Sequence, residues 1–246
     1  MGVLISNGNL LTVDGKLATA NAAPTTPYME AEYVAVGGLS GKDHYIKRAK
    51  LYNHTAIYAY EFTGQHQLQN LDFSDASNNI TAIEEMAFNQ AQMNGLVLPN
   101  TISALHRFCF NGAYIATLVV PPLVTVLPTS AFAYIQPVYN NETGEELPIN
   151  IILPQNLTKI GSRCFSGALI KQITIPDTVT EIGDRAFFFC EKLESITCLA
   201  ATPPALGTDA LYTGTAGFPI KVPAASVAAY KAADGWKDYA SYIVAM

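Results

Sequence analysis

The chain repeats itself, and that constrains its fold more than anything else in the sequence. Residues 169–190 read LIKQITIPDTVTEIGDRAFFFC: an apolar alternation runs into a proline, and an Ala-Phe pair follows ten residues later. Aligned on the template apolar-x-x-apolar-x-apolar, the copies are Ile46/Ala49/Leu51, Leu68/Leu71/Phe73, Met93/Leu96/Leu98, Ile115/Leu118/Val120, Pro148/Ile151/Leu153, Ile170/Ile173/Ile175 and Leu193/Ile196/Cys198. Their starts are separated by 22, 25, 22, 33, 22 and 23 residues. A second landmark keeps the same register, because Ile57, Ile83, Leu105, Leu127, Ile160 and Ile182 each stand five residues before an aromatic: Phe62, Phe88, Phe110, Phe132, Phe165 and Phe187.

A unit this short cannot bury its own apolar face, so successive units must stack, each closing one turn of a solenoid whose core is shared between neighbours. Within a unit, three apolar positions of the strand point inward. The proline that follows in several units (Pro99, Pro121, Pro154, Pro176) lacks an N–H and fixes φ, so it ends the ladder there. The Phe is the large filler of the opposite side, with Ala87, Ala131 or Ala186 making room beside it.

Residues 170–187, with Ile170, Ile173, Ile175, Pro176, Val179, Ile182, Gly183, Ala186 and Phe187, resemble the BspA-like (treponemal-type) leucine-rich repeat nearly position for position. Residues 151–165 match it well. The tail IKVPAASVAAYKAADGWKDYASYIVAM is similar to the carboxy-terminal caps that follow such repeats in Bacteroides-type surface proteins. The first two units depart from the pattern by lacking the proline, and Pro148 stands where an apolar side chain is expected. The resemblance implies an α+β leucine-rich-repeat solenoid of about seven coils with a parallel sheet on its concave side. It further implies a non-catalytic module that binds proteins or glycans, often as an adhesin on a bacterial surface. In such a coil the central residue of L-x-L faces the concave surface. The candidate binding row is therefore Lys50, Asp72, Val97, Val119, Ile152, Thr174 and Thr197, with Val97, Val119 and Ile152 expected side by side as an apolar strip.

Three parts are expected: an amino-terminal β arm and linker (1–44), the solenoid (45–211) and a carboxy-terminal cap (212–246). Residues 135–147, IQPVYNNETGEEL, carry most of an 11-residue excess between Phe132 and Phe165 and should leave the solenoid as a surface loop. Residues 224–233 read as a short helix with Gly235 near its end, and the sole tryptophan, Trp236, follows as a lid for the last coil. LISNGNLLTV holds an Asn-Gly between apolar segments and suits a hairpin. EYVAV (32–36) suits a strand, and ATANAAPTTP is a small-residue linker. Val3, Leu4, Ile5, Leu10, Leu11 and Val13 are the candidate anchor residues of the arm.

Motifs for chemistry are sparse. The four cysteines, Cys109, Cys164, Cys190 and Cys198, form no C-x-x-C. Cys109 and Cys164 occupy the alanine slot two coils apart, roughly 10 Å, which is beyond disulfide reach. His44, His54, His66 and His106 share no metal-ligand spacing and read as surface residues. No P-loop, dinucleotide-binding or G-x-S-x-G signature is present, and Glu30/Glu32, Glu84-Glu85 and Glu145-Glu146 pair with no second catalytic group. Neither an enzyme nor a cofactor is expected. Four Asn-x-Thr triplets start at Asn53, Asn79, Asn141 and Asn156 and read as chance in a Thr-rich chain. A net charge of −6 with 14% charged residues offers no basic stripe for nucleic acid. No apolar run reaches the length of a bilayer span.

The amino terminus has no basic segment followed by an uninterrupted apolar one, so the sequence as it stands predicts a product that is not exported. That conflicts with an adhesin. One resolution is a phage virion protein, assembled in the host cytoplasm, with the arm contacting other virion proteins and the solenoid contacting a host surface protein or glycan. The alternative is a bacterial cell-surface or secreted adhesin. Either is compatible with a homo-oligomer.

Overall fold

The computed structural model describes residues 44–246, apart from 67, 69, 94, 95, 141, 142, 215 and 216, together with the strands of residues 3–6, 9–11 and 28–35. The expected linker at 18–27 and the candidate anchor Val13 lie outside the described residues.

The chain winds into a β-solenoid of about eight turns with little helix. We number the coils by the residue at their aromatic landmark: Phe62, Phe88, Phe110, Phe132, Phe165 and Phe187 mark coils one to six. Those six side chains have no solvent exposure and stack in one column. Successive ring centroids are 5.2–5.4 Å apart, with interplanar angles of 3° to 11°. The backbone explains the small residue before every ring but the first, which Glu61 precedes. The N–H of Phe62, Phe88, Phe110, Phe132, Phe165 and Phe187 donates to the carbonyl of Ala87, Cys109, Ala131, Cys164, Ala186 and Ala210 of the next coil, at 2.7–2.9 Å. A larger side chain at those positions would crowd the column.

Two left-handed residues flank each ring, one two positions before it and one two positions after. The first set is Tyr60, Met86, Phe108, Ser130, Arg163 and Arg185, with φ between 53° and 63°. Left-handed backbone lets alternate N–H groups point along the solenoid axis while the intervening ones bond three residues back. Phe88, for example, donates to Cys109 of the next coil, and its neighbour Asn89 donates back to Met86. The chain thereby turns a sharp corner with its donors satisfied.

The prolines close turns as their chemistry requires. The carbonyls of Pro99, Pro121, Pro154 and Pro176 each accept the N–H three residues on, from Ile102, Val124, Leu157 and Val179. Threonines then tie coil to coil: Thr101 Oγ1 donates to Ile80 O at 2.6 Å, Thr158 Oγ1 to Thr125 O at 3.0 Å and Thr178 Oγ1 to Leu157 O at 2.7 Å. Two of the Asn-x-Thr triplets thus have a structural reason, since the Thr81 and Thr158 hydroxyls each bond a carbonyl of the preceding coil.

The glycine of the Ile-Gly pair is fixed by coil spacing. A Cβ on Gly183 would stand 2.7 Å from Ser162 N and 3.0 Å from Gly161 C, both in the backbone of the preceding coil. Gly183→Ala is expected to destabilise by about 1–3 kcal/mol through overpacking. Chemical denaturation of the two proteins measures it, and an unchanged midpoint would show that the coils separate without cost.

The strand face is less continuous than expected. His44–Tyr52 pairs in parallel with Asn70–Asp72, Thr117–Val119 with Asn150–Ile152, and Gln172–Ile175 with Ser195–Cys198. Leu96–Leu98 of coil three forms no strand, so the single parallel sheet anticipated for this face is divided into shorter ladders. The second face is more regular, with Val126–Leu127, Lys159–Ile160, Glu181–Ile182 and Ala205–Leu206 in one parallel ladder.

That last strand completes the seventh coil. Leu206, Gly207, Ala210 and Leu211 occupy the slots of Ile182, Gly183, Ala186 and Phe187, and Leu211 is buried. The strand face also runs on: Ser195–Cys198 pairs with Ile220–Val222, which pairs with Ile243–Ala245. Between those two strands, Ala224–Ser226 forms a 3-10 turn, Val227–Ala232 an α-helix and Trp236–Tyr239 a second 3-10 turn. Tyr230 and Trp236 are fully buried and meet edge to face at 4.8 Å. Their polar atoms are satisfied by coil seven, with Trp236 Nε1 donating to Pro204 O at 2.7 Å and Tyr230 OH to Ala200 O at 2.9 Å.

At the other end, Val3–Ser6 and Asn9–Leu11 pair antiparallel around the Asn-Gly, as a hairpin should. Val3–Ser6 pairs in parallel with Tyr28–Ala35, which in turn pairs antiparallel with His44–Tyr52. The amino-terminal strands therefore continue the ladder of the first coil.

Candidate functional site

The candidate row lies on the strand face, where alternation sends neighbouring side chains inward and outward. Leu118 and Ile151 are buried, while Val119 and Ile152 between and beside them are 54% and 45% exposed. The Cα atoms of Val119 and Ile152 are direct partners in a parallel pair, so the two side chains share one outward patch. Val97 is 80% exposed but belongs to the coil without a strand, so no ladder register sets it beside Val119 as the sequence anticipates. Lys50 and Asp72 are also direct partners. Asp72 Oδ1 accepts the N–H of Ser74 at 2.8 Å, and hydrogen bonds from Ser74 hold its carboxyl below the usual range. Thr174 and Thr197 are partners on the next ladder. Lys221 and Val244 continue that row through the register Thr197↔Lys221↔Val244. The sequence reading missed them because the repeat pattern is blurred after coil six.

The 135–147 insertion is a hairpin, with Val138–Tyr139 and Glu146–Leu147 antiparallel. Ile135 and Val138 pin it to the core, and Glu146 accepts a 2.7 Å ion pair from Lys192. It leaves the apolar strip open.

Between the strands of coils five and six lies a cleft of about 310 Å³, lined by Asn150, Ile152, Gln155, Gln172 and Thr174 among others. A second hollow, beside the hairpin, is lined by Glu146, Lys171, Glu191, Lys192 and Glu194.

The four cysteines are buried and free. Burial pushes every one of these thiols up, Cys190 and Cys198 to about 12. None is a thiolate nucleophile at neutral pH. Cys190 Sγ instead donates to Phe165 O at 2.9 Å. His106 is exposed, as anticipated, but His54 is not a surface residue. Its ring is buried, bonding Tyr52 O and the Glu61 carboxylate at 2.9 Å each, while the other Glu61 oxygen accepts the N–H of Tyr58. This polar knot closes the first coil, where the proline of later coils is missing. Among the described residues no group of three or more His, Cys, Asp or Glu could hold a metal ion, and no helix is long and apolar enough to cross a membrane.

The profile of the BspA type leucine rich repeat region matches the chain in six copies, over residues 55–147 and 143–212. No curated protein matches it. Among solved structures, a leucine-rich repeat protein from Bacteroides ovatus is similar at 17% identity and a TM-score of 0.33, covering 67% of this chain and 51% of its own. A leucine rich cell surface protein from Faecalibacterium prausnitzii is 18% identical with a TM-score of 0.27, covering 67% and 61%. The pneumococcal vaccine antigen PcpA is 15% identical with a TM-score of 0.31, covering 76% and 63%. The chain thus spans less than two thirds of the length of each.

Proposed function

Because the chain belongs to the BspA type leucine rich repeat family, we propose that it is a non-catalytic binding module displayed at a bacterial surface, where it engages a protein or glycan partner. The observation that carries this reading is the outward patch of Val119 and Ile152, held in register by a ladder and left half exposed. A rigid face that keeps apolar side chains in water is suited to docking. The virion reading draws no support from the fold or the family, so bacterial surface display is the reading we adopt. The amino-terminal strands, with Val3, Leu4, Ile5, Leu10 and Leu11, would serve as the attachment side, opposite the cap.

Two measurements test this. Protease added to intact cells of the source bacterium should remove the chain, and protection from it would refute surface display. The variant Val119→Lys/Ile152→Lys should keep the wild-type melting curve, because both positions face solvent. On an array of host-surface proteins and glycans its signal should fall by about tenfold or more, the cost of a desolvated charge in an apolar contact. Equal signals would exclude the strip as the docking face.

A further inference from the structure

The position two residues after each aromatic landmark alternates along the solenoid with a period of two coils. It reads Gly64, Gln90, Gly112, Tyr134, Gly167, Phe189 in coils one to six; in coil seven Thr213 holds the position and Gly214 stands one residue later. The six residues and Gly214 are left-handed, with φ between 55° and 78°. The large side chain of each even coil leans on the glycine of the next. A Cβ on Gly112 would meet Gln90 Cγ at 3.2 Å, one on Gly167 would meet Tyr134 Cδ1 at 2.5 Å, and one on Gly214 would meet Phe189 Cε1 at 2.7 Å. Left-handed backbone is costly for an aromatic and nearly free for glycine. The odd coils show that glycine serves the turn as well, so the turn itself does not require a ring at this position.

Both rings are open to solvent: Tyr134 is 58% exposed and Phe189 44%. Each rests its Cδ1–Cε1 side on a glycine, and Phe189 is held further by edge contacts with the rings of Phe188 at 4.4 Å and Tyr212 at 5.9 Å. The backbone ladder between them is unbroken, since Tyr134 N–H donates to Ser166 O and Gly167 N–H to Phe188 O. Their spacing is therefore two coils, roughly 10 Å. Arg163 is exposed on the intervening coil, and Arg185 and Asp209 form a 3.4 Å ion pair on the coils beyond. Gln90 carries the row two coils further with an amide.

We propose that this edge binds an extended β-1,4-linked glycan, with Tyr134 and Phe189 as stacking platforms. In such a polymer each sugar advances by nearly the rise of one coil, and the disaccharide repeat matches two coils. Alternate sugars present the same apolar C–H face, which suits an aromatic platform, and their hydroxyls fall beside the Arg163 guanidinium and the Gln90 amide. The proposal rests on the chain being a binding module but uses a different edge from the Val119/Ile152 strip.

Calorimetric titration of the full chain with cellohexaose and chitohexaose tests it, with maltohexaose as the α-linked control. At least one β-linked hexasaccharide is expected to bind. Tyr134→Ala and Phe189→Ala should each weaken binding by about five- to tenfold, and Tyr134→Trp should retain it. Both alanine positions are solvent-facing, and an unchanged melting curve checks that the fold is intact. Lys231→Ala, at an exposed position of the cap helix, should bind the hexasaccharide like wild type. Absence of binding at millimolar sugar, equal binding of maltohexaose, or no effect of the double alanine variant would overturn the proposal. The strip would still be judged separately by its own array signal.

Discussion

Phe132→Ala should destabilise the protein by about 3–5 kcal/mol, the cost of deleting a buried aromatic, and should divide its unfolding into two transitions. Phe132 has no exposure and lies between Phe110 and Phe165, with centroids 5.2 and 5.3 Å away. A solenoid holds together by nearest-neighbour interfaces, so removing the ring weakens both interfaces of coil four at once. The hairpin insertion follows directly after this coil, which adds loop but no stacking there. Calorimetry should show the melting temperature falling by on the order of 10 °C, with the coils before and after coil four melting apart. A single transition at the wild-type temperature would mean that the Phe column is not what couples the coils.

Trp236→Ala should cost a similar amount, about 3–5 kcal/mol, but with a different spatial pattern. The indole is fully buried against Tyr230, and its loss also strands the Pro204 carbonyl, which now accepts the Nε1 proton at 2.7 Å. A buried acceptor without a partner adds about 1–3 kcal/mol. Hydrogen exchange should accelerate first in Ile220–Val222, Ile243–Ala245 and coil seven, while coils two and three keep wild-type protection. Trp236→Phe, which fills most of the volume but cannot donate, should fall between. Uniform acceleration along the chain would show that the cap acts globally rather than as an end seal.

Much of the fold was legible because its two markers are chemically unambiguous. A Phe every 22 residues or so behind a small residue can only be repeated packing, and the column of six rings realises it. The strand half of coil seven was legible in Leu193/Ile196/Cys198, but its second half was not, because Leu211 replaces the aromatic and Pro203-Pro204 interrupts the pattern. His54 defied its surface assignment because nothing local announces Glu61 as its partner across the turn. The outward positions of the row could be read from alternation alone. The breaks in its ladder could not, since Leu96–Leu98 carries the same apolar alternation as the coils whose strands pair. The alternation of glycine with Gln90, Tyr134 and Phe189 is hidden in an alignment of single repeats because its period is twice that of the repeat.

That doubled period governs how such a chain can grow or shrink through recombination. Removing one coil would set two bulky residues, or two glycines, on adjacent turns: in the first case the rings collide, in the second a slot is left unfilled. Removing a pair restores the seating of every ring on its glycine. A change of length that keeps this packing therefore comes in coil pairs, even though the unit of folding is the single coil.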